Sequence, residues 1–445
     1  MCHIPVRRGE IKELQRDPFM AQGNNRAEHL ALNVDWTFKY KTMLSEDSTV
    51  PKHACIFRVP ATLKMQNPEA YKPYFFSLGP WHFGKKHLMD AQKNKMHFLE
   101  QLVRRFQSPD DKINELEVVI SQVKNEALEC YGGWGAINVE GRENFEKILL
   151  LDGCFIIEML RKWNGPIAVN QSERFIFSNA MIPTWRQDLF LIENQIPWFV
   201  LERLYERTRV SEQDKPLVEL AIDVFYSIFS YEKLQIKPVR INHILDLAWH
   251  YVGISSEQPK WGDEHFDQNK HNIHSATSLR EAGVKFRRSA EPRRILDIRF
   301  NNTEGVLEIP SLLIHPTTET IFRHLISFEQ CYRRHPSKVT CYAKLLNGLV
   351  DTPDDVDLLS RKGIFNNWLD SEEVSDFLNR LHNGTHMDYW YYAQLCLDVR
   401  DYCQRWWPKW RAFYIHNYFT KPWAIIAEVY ALIILVFTIL PIIFK

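Results

Sequence analysis

The sequence predicts a mainly α fold: a multi-helical globular body with a small β-hairpin element and one C-terminal transmembrane helix. Three observations carry this. Apolar residues recur at helical spacing through most of residues 88–407. One stretch, "RILDIRFNNTEGVLEIP", changes to alternation on either side of a turn. A third, "AIIAEVYALIILVFTILPIIF" at 424–444, has the composition of a bilayer-crossing helix.

In chain order, residues 1–50 mix polar and charged side chains without a sustained period and read as a flexible leader. Nothing in "MCHIPVRRGEIKELQRD" is apolar for long enough to be a signal peptide. Order is expected from about "ACIFRVP". Residues 51–253 make an N-terminal helical part. Leu99, Leu102, Val103 and Phe106 share one helical face, and residues 112–130 give a further helix ended by Gly132 and Gly133. Phe145, Ile148, Leu149, Phe155, Ile156, Met159, Leu160 and Trp163 continue the pattern. Asn164-Gly165-Pro166 stops it, because proline lacks the N–H and its ring crowds the preceding turn. "DLFLIENQIPWFVLERLYE", 188–206, reads as a helix interrupted at Pro197, followed by helices over 214–231 and "INHILDLAWHYV".

Residues 254–278 are polar, rich in histidine and aperiodic, a long loop. Residues 279–404 form a C-terminal part. It opens with the hairpin, where Leu296, Ile298 and Phe300 face one way and Asp297 and Arg299 the other. Helices are expected over 317–333, 337–350, 354–362, 371–382 and 387–407. No repeat of fixed period occurs.

The chain of 445 residues is 45% apolar and 25% charged, so it can bury a sizeable core. Lys plus Arg equals Asp plus Glu at 55 each, which argues against bulk binding of nucleic acid. The eight cysteines show neither CxxC nor zinc-finger spacing. They fit reduced thiols in a cytosol-facing protein, with a few disulfides in an exported domain as the alternative. Sequons at Asn170, Asn301 and Asn383 are no more than chance supplies.

At 1.5 Å per residue, 424–444 (Ala424 through Ile434 to Phe444) spans roughly 30 Å, the thickness of a hydrocarbon core. Leu, Ile, Val and Phe each favour insertion by about 0.3–0.6 kcal/mol, which together outweighs one acid. Glu428 and Pro441 lie near the two ends, away from the centre. A buried core helix would carry a polar face, whereas 429–440 has only Tyr430 and Thr438. The flank 405–423 interleaves basic residues with Trp406, Trp407, Trp410 and Trp423, and Lys421 closes it. This is the mix that settles at a headgroup interface. Basic residues before the span and only Lys445 after it place the bulk of the chain in the cytosol, with the plasma membrane as the expected location.

"SLGPWHFGKK", 77–86, has the glycine and lysine spacing of a phosphate-binding loop. Lys86 stands where Ser or Thr should hold magnesium, Pro80 removes an N–H from the cradle, and Trp81, His82 and Phe83 are too bulky to wrap a phosphate. The stretch reads instead as a turn that docks aromatic side chains. Asp152 falls on the apolar face of its helix, and Glu158 and Glu193-Asn194-Gln195 also interrupt apolar runs. Such acids are either a separated-pKa pair in a cleft or, the favoured reading, a hydrogen-bonded network around the break at Pro197. His271 and His274 in "HNIH" offer two metal ligands without a third, so no metal is expected there. No GxSxG, HExxH or GxGxxG is present, and neither a cofactor nor a catalytic residue is assigned.

Several phrases together resemble the plant family known as domain of unknown function 247, or uncharacterised protein family 0481. They are "IFRVPATLKMQNPEAYKPYFFSLGPWHFG", "LLDGCFIIEML", "DLFLIENQIPWFVLERL", "SATSLREAGVKF", "ILDIRFNNTEGVLEIPSLLI", "IFRHLISFEQC" and "DDVDLLSRKGIFNNWL". The likeness spans roughly 52–444. The residues that carry it include Ser77, Gly79, Pro80, His82, Gly84, Asp152, Glu193, Asn194, Gln195 and Pro197. The resemblance implies a single-pass membrane protein. Some grass members are implicated in pollen–stigma self-incompatibility, which implies recognition rather than catalysis. The expectation is therefore a membrane-anchored, non-enzymatic protein that meets a lipid bilayer and an unidentified protein partner, and no nucleic acid. The alternative is a membrane-bound hydrolase or transferase using Asp152, Glu158 or Glu193.

Overall fold

The computed structural model describes residues 53–165, 171, 173–209, 211, 214–229, 233, 239–253, 272–290, 294–332, 334–387, 389–405, 430, 433, 434 and 437. The periodic segments form helices α1 (Met89–Val103), α2 (Pro109–Cys130), α3 (Phe145–Asn164), α4 (Ile182–Phe190), α5 (Trp198–Thr208), α6 (Leu217–Phe229) and α7 (Ile244–Gly253). Pro109 opens α2 at a position where its missing N–H costs nothing. α3 is apolar nearly all round, and its residues from Ile148 to Lys162 are buried, as befits a central helix. It packs against α1, α2, α5 and α6.

Beyond the 254–271 segment, a short helix α8 (Ala276–Glu281) leads into strands β1 (Lys285–Arg288), β2 (Arg299–Asn301), β3 (Val306–Ile309) and β4 (Leu312–Ile314). Helices α9 (Thr318–Cys331), α10 (Lys338–Leu349) and α11 (Pro353–Arg361), strand β5 (Phe365–Asn367), and helices α12 (Ser371–Leu381) and α13 (Ala393–Cys403) follow. α9 lies against α4, α7 and α10, so residues from both sides of the 254–271 segment share one apolar core.

The hairpin is β2–β3, antiparallel with Phe300 opposite Leu307. Its turn forms because Asn301 Oδ1 accepts the N–H groups of Thr303 and Glu304 while Gly305 takes the left-handed φ of 65° that closes it. The β-element is larger than a hairpin. β1 adds parallel to β3, giving the order β1-β3-β2, and β4 pairs parallel with β5 in a second, two-stranded sheet.

Other boundaries move as well. The long loop expected to 278 ends at Ser275, whose side chain accepts the Ser278 N–H and starts α8. The last helix begins at Ala393, not 387. The interruption expected at Pro197 spans all of 191–197. The described cysteines are free thiols.

Among the described residues no helix is long and apolar enough to cross a membrane. The 1–50 leader, His271, the interfacial Trp406, Trp407, Trp410, Lys421 and Trp423, and the span markers Ala424 and Phe444 lie outside the described residues. Within 424–444, Tyr430, Ile433, Ile434 and Phe437 are described. They are helical and exposed, Phe437 at 72%.

Candidate functional site

The residues that mark the sequence most distinctively meet in one buried place. Proline has no N–H to continue a helix, and with Pro197 at ψ 134° the chain leaves α4 at Phe190 and re-enters helix only at Trp198. The backbone groups freed over 191–197 need partners, and three consecutive side chains help supply them. Gln195 Nε2 donates to the carbonyls of Leu189 and Leu191 at 2.7 and 2.8 Å, and its Oε1 accepts the Leu245 N–H. Asn194 Nδ2 donates to the carbonyls of Phe76 and Asp188, and its Oδ1 accepts the Leu78 N–H at 2.5 Å. Glu193 Oε1 accepts the Val59 N–H at 3.0 Å.

The 74–79 turn is pinned from the other side by two aspartates. Asp188 accepts the N–H groups of Tyr74, Phe75 and Phe76 at 2.9, 2.6 and 2.9 Å. Burial pushes its carboxyl up to about 7 despite these three donors. Asp152 Oδ2 accepts the Gly79 N–H at 2.8 Å, and Oδ1 pairs with Lys95 Nζ at 2.5 Å; Lys95 also donates to the Ser77 carbonyl at 2.5 Å. Tyr131 OH donates to the Gln195 carbonyl beside Gly79. Ser77, Gly79, Asp152, Asn194 and Gln195 thus form a single polar lock between the 74–79 turn, α1, α3 and the helix break.

The phosphate-loop reading stays rejected for a reason the sequence could not supply. The Leu78 and Gly79 N–H groups already face Asn194 and Asp152, and Lys85 Nζ stands 2.6 Å from His82 Nδ1. Pro80, His82 and Gly84 complete the turn, and the His82 Nε2 lies 3.3 Å from Glu193 Oε2. Burial favours neutral His82, while burial's upward push on Glu193 is overcome by His82, the Val59 N–H and Lys64, which hold that carboxyl at about 2.

Asp152, Glu158 and Glu193 do not present themselves together to solvent. They are 2%, 0% and 4% exposed, and each has its own cationic or imidazole partner. Glu158 holds Arg105 through both carboxylate oxygens and Arg161 at 3.1 Å, and Arg161 goes on to the Thr208 carbonyl at 2.9 Å. This ties α3 to the residues just after α1 and to the end of α5. His274, the described member of the "HNIH" pair, is exposed on the approach to α8.

Sequence reading passed over His324, which joins two of these segments. Its Nδ1 accepts the Ile192 N–H at 3.0 Å and its Nε2 donates to the Ala70 carbonyl at 2.9 Å, a geometry only the neutral ring satisfies. Burial holds its pKa down at about 4, against 6.5 when free. The unfolded chain therefore binds a proton that the native one refuses. Stability from this residue is complete above about pH 6.5 and is lost as pH falls towards 4. The slope of unfolding free energy against pH near 5 is expected to drop by about 1.4 kcal/mol per pH unit in His324→Gln. Urea titrations at half-unit pH steps measure this, and parallel slopes for the two proteins would refute the assignment.

A concave feature of the surface lies elsewhere. A half-open cavity of about 640 Å³ lies between α1, α2 and α3. Leu99, Ile120, Phe145 and Leu150 supply its apolar lining, and Lys124, Arg142, Glu117 and Glu143 supply charge of both signs. Nothing in the sequence marks this cavity, because its lining is spread over α1, α2, α3 and the short helical segment Val139–Glu143.

The DUF247 family model, described as a plant protein of unknown function, matches residues 56–437. The chain is 27% identical over 420 residues to the UPF0481 protein At3g47200 of Arabidopsis thaliana, covering 88% of this chain and 86% of that protein. It is 22% identical over 411 residues to a second UPF0481 protein of the same plant, At3g02645, covering 72% and 76%. No solved structure matches.

Proposed function

Starting from the premise that the chain belongs to the DUF247 family of plant proteins of unknown function, we propose that it is a membrane-tethered recognition protein, anchored by residues 424–444 and acting through protein contacts. The observation that carries the tether is the apolar character of 424–444 together with its described residues. Tyr430, Ile433, Ile434 and Phe437 are helical and turn apolar surface outward, an arrangement that hydrocarbon stabilises and water does not. The aromatic and basic residues of 405–423 suit the headgroup level next to it.

Recognition, rather than turnover, is favoured by where the acids lie. Asp152, Glu158 and Glu193 are buried, paired and engaged in holding backbone, so they act as framework. The α1–α2–α3 cavity, apolar within and charged around, has the character of a contact surface.

Full-length protein is expected to stay in the pellet when membranes are extracted with alkaline carbonate, and a chain ending at residue 404 is expected to move to the supernatant. Release of the full-length protein would end the anchor reading. Turnover by the purified protein that Asp152→Asn abolishes with the fold intact would end the recognition reading.

A further inference from the structure

Away from the polar lock, two histidines aim at one carboxylate oxygen. Asp246 and His250 stand one turn apart on α7, and His335 comes from the turn between α9 and α10. Asp246 Oδ1 lies 2.7 Å from His335 Nε2 and 3.5 Å from His250 Nε2. The three atoms are within 4.8 Å of one another. Imidazole nitrogen and carboxylate oxygen are the donors that a divalent ion of the zinc type takes, at about 2.0–2.2 Å. Ligands at that radius in tetrahedral array stand about 3.4 Å apart. The His250–Asp246 separation already fits, the His335–Asp246 pair must part by a fraction of an ångström, and the two imidazoles, whose ligand atoms lie within 4.8 Å, must come to about that same separation.

The surroundings orient the three groups. Asp246 Oδ2 accepts the Asn242 backbone N–H at 2.7 Å and Asn242 Nδ2 at 2.8 Å, which leaves Oδ1 turned to the histidines. The His335 ring stacks on Trp249, centroids 3.8 Å apart and planes 25° apart. Trp249 is fixed in turn, its Nε1 donating to buried Glu329 at 2.7 Å; Glu329 also accepts the N–H groups of Val339 and Thr340. Outer contacts of this kind are what hold metal ligands in place. His243 is adjacent but committed, since its Nδ1 accepts the Asp246 N–H and its Nε2 faces the Cys55 carbonyl. Arg294, the cation whose charge bears on His250, is bound to the carbonyls of His250 and Tyr251. Asp246 is buried while the two histidine side chains are 16% and 10% exposed, so the site borders solvent.

We propose that Asp246, His250 and His335 form a three-ligand site for a divalent transition-metal ion of the zinc class, clasping α7 to the α9–α10 turn. The proposal is independent of the recognition reading. The test uses full-length protein in detergent, stripped with a chelator and dialysed. Zinc titration followed by elemental analysis is expected to give one ion per chain. Cobalt(II), used as a spectroscopic probe, is expected to show the visible absorption of a four- or five-coordinate nitrogen–oxygen site. His250→Gln removes one partly exposed ligand and is expected to weaken zinc binding by more than about 100-fold, beyond the roughly 10–100-fold loss typical of an outer contact such as Asn242→Ala. His335→Gln should do the same; if it fails to fold, His250→Gln still decides. Failure of wild-type protein to retain zinc would overturn the proposal. So would unchanged binding in His250→Gln, which would place the ion on other histidines of the chain.

Discussion

Lys95→Met is expected to lower the stability of the protein by roughly 3–5 kcal/mol, the usual cost of removing one partner from a buried ion pair. Lys95 is fully buried on α1, with its Nζ 2.5 Å from Asp152 Oδ1 and 2.5 Å from the Ser77 carbonyl. Methionine matches the stem in length and apolar character, so packing is largely kept. What disappears is the charge that stabilises ionised Asp152. Burial raises the pKa of that acid, while Lys95 and the Gly79 N–H lower it. Without Lys95 the carboxyl must either take up a proton, which costs more as pH rises, or remain an uncompensated buried charge. The loss is therefore expected to be larger at pH 8 than at pH 5. Denaturant midpoints at the two pH values check both statements. A second change, Asp152→Asn in the Lys95→Met background, should cost much less than the two single losses summed, because the partners form one unit. A single-variant loss below about 1 kcal/mol would mean that the pair does not hold the turn to α3.

The helices were legible because their apolar faces repeat over ten or more residues, and the β2–β3 hairpin because alternation and turn residues coincide there. β1, β4 and β5 are as short as β2 and β3, but they pair in parallel with strands not joined to them by a turn, so nothing local marks them. The polar lock was half legible. Asp152, Glu193, Asn194 and Gln195 stood out as polar residues in apolar runs, and the network reading suited them. Their partners did not stand out, since Leu78 is 116 positions from Asn194. Lys95 carries a readable signal, lying one turn before Leu99 on the buried face of α1. Asp246 and His250 show the one-turn spacing of a ligand pair, but His335, 89 positions from Asp246, is brought in only by the packing of α9 on α7. Asp188 and Glu329 lie among helical residues that give no hint of full burial.

Gly79→Ala is the second change with a large expected cost, and it tests whether the "SLGPWHFG" turn is framework. Gly79 sits at φ 69°, where a side chain costs about 1–2 kcal/mol by local sterics alone. Its new Cβ would stand 2.8 Å from the Gln195 carbonyl oxygen and 2.8 Å from Tyr131 OH, which are hydrogen-bonded to each other. Neither can step aside easily. The Gln195 backbone is fixed by its own side chain bridging to Leu189, Leu191 and Leu245, and the Tyr131 ring is wedged edge-on between Trp81 and Phe145. Overpacking of this kind adds about 1–3 kcal/mol, for a total of about 2–5. Gly363→Ala is the matched control: its φ is 68°, and the nearest atom to an added Cβ is Arg288 Cδ at 3.7 Å, an ordinary contact, so only the local term applies. The difference between the two variants isolates the contact of the turn with the helix break. Equal midpoints in denaturant would mean that the turn moves freely over Gln195, leaving the Leu78 and Gly79 N–H groups available to a ligand after all.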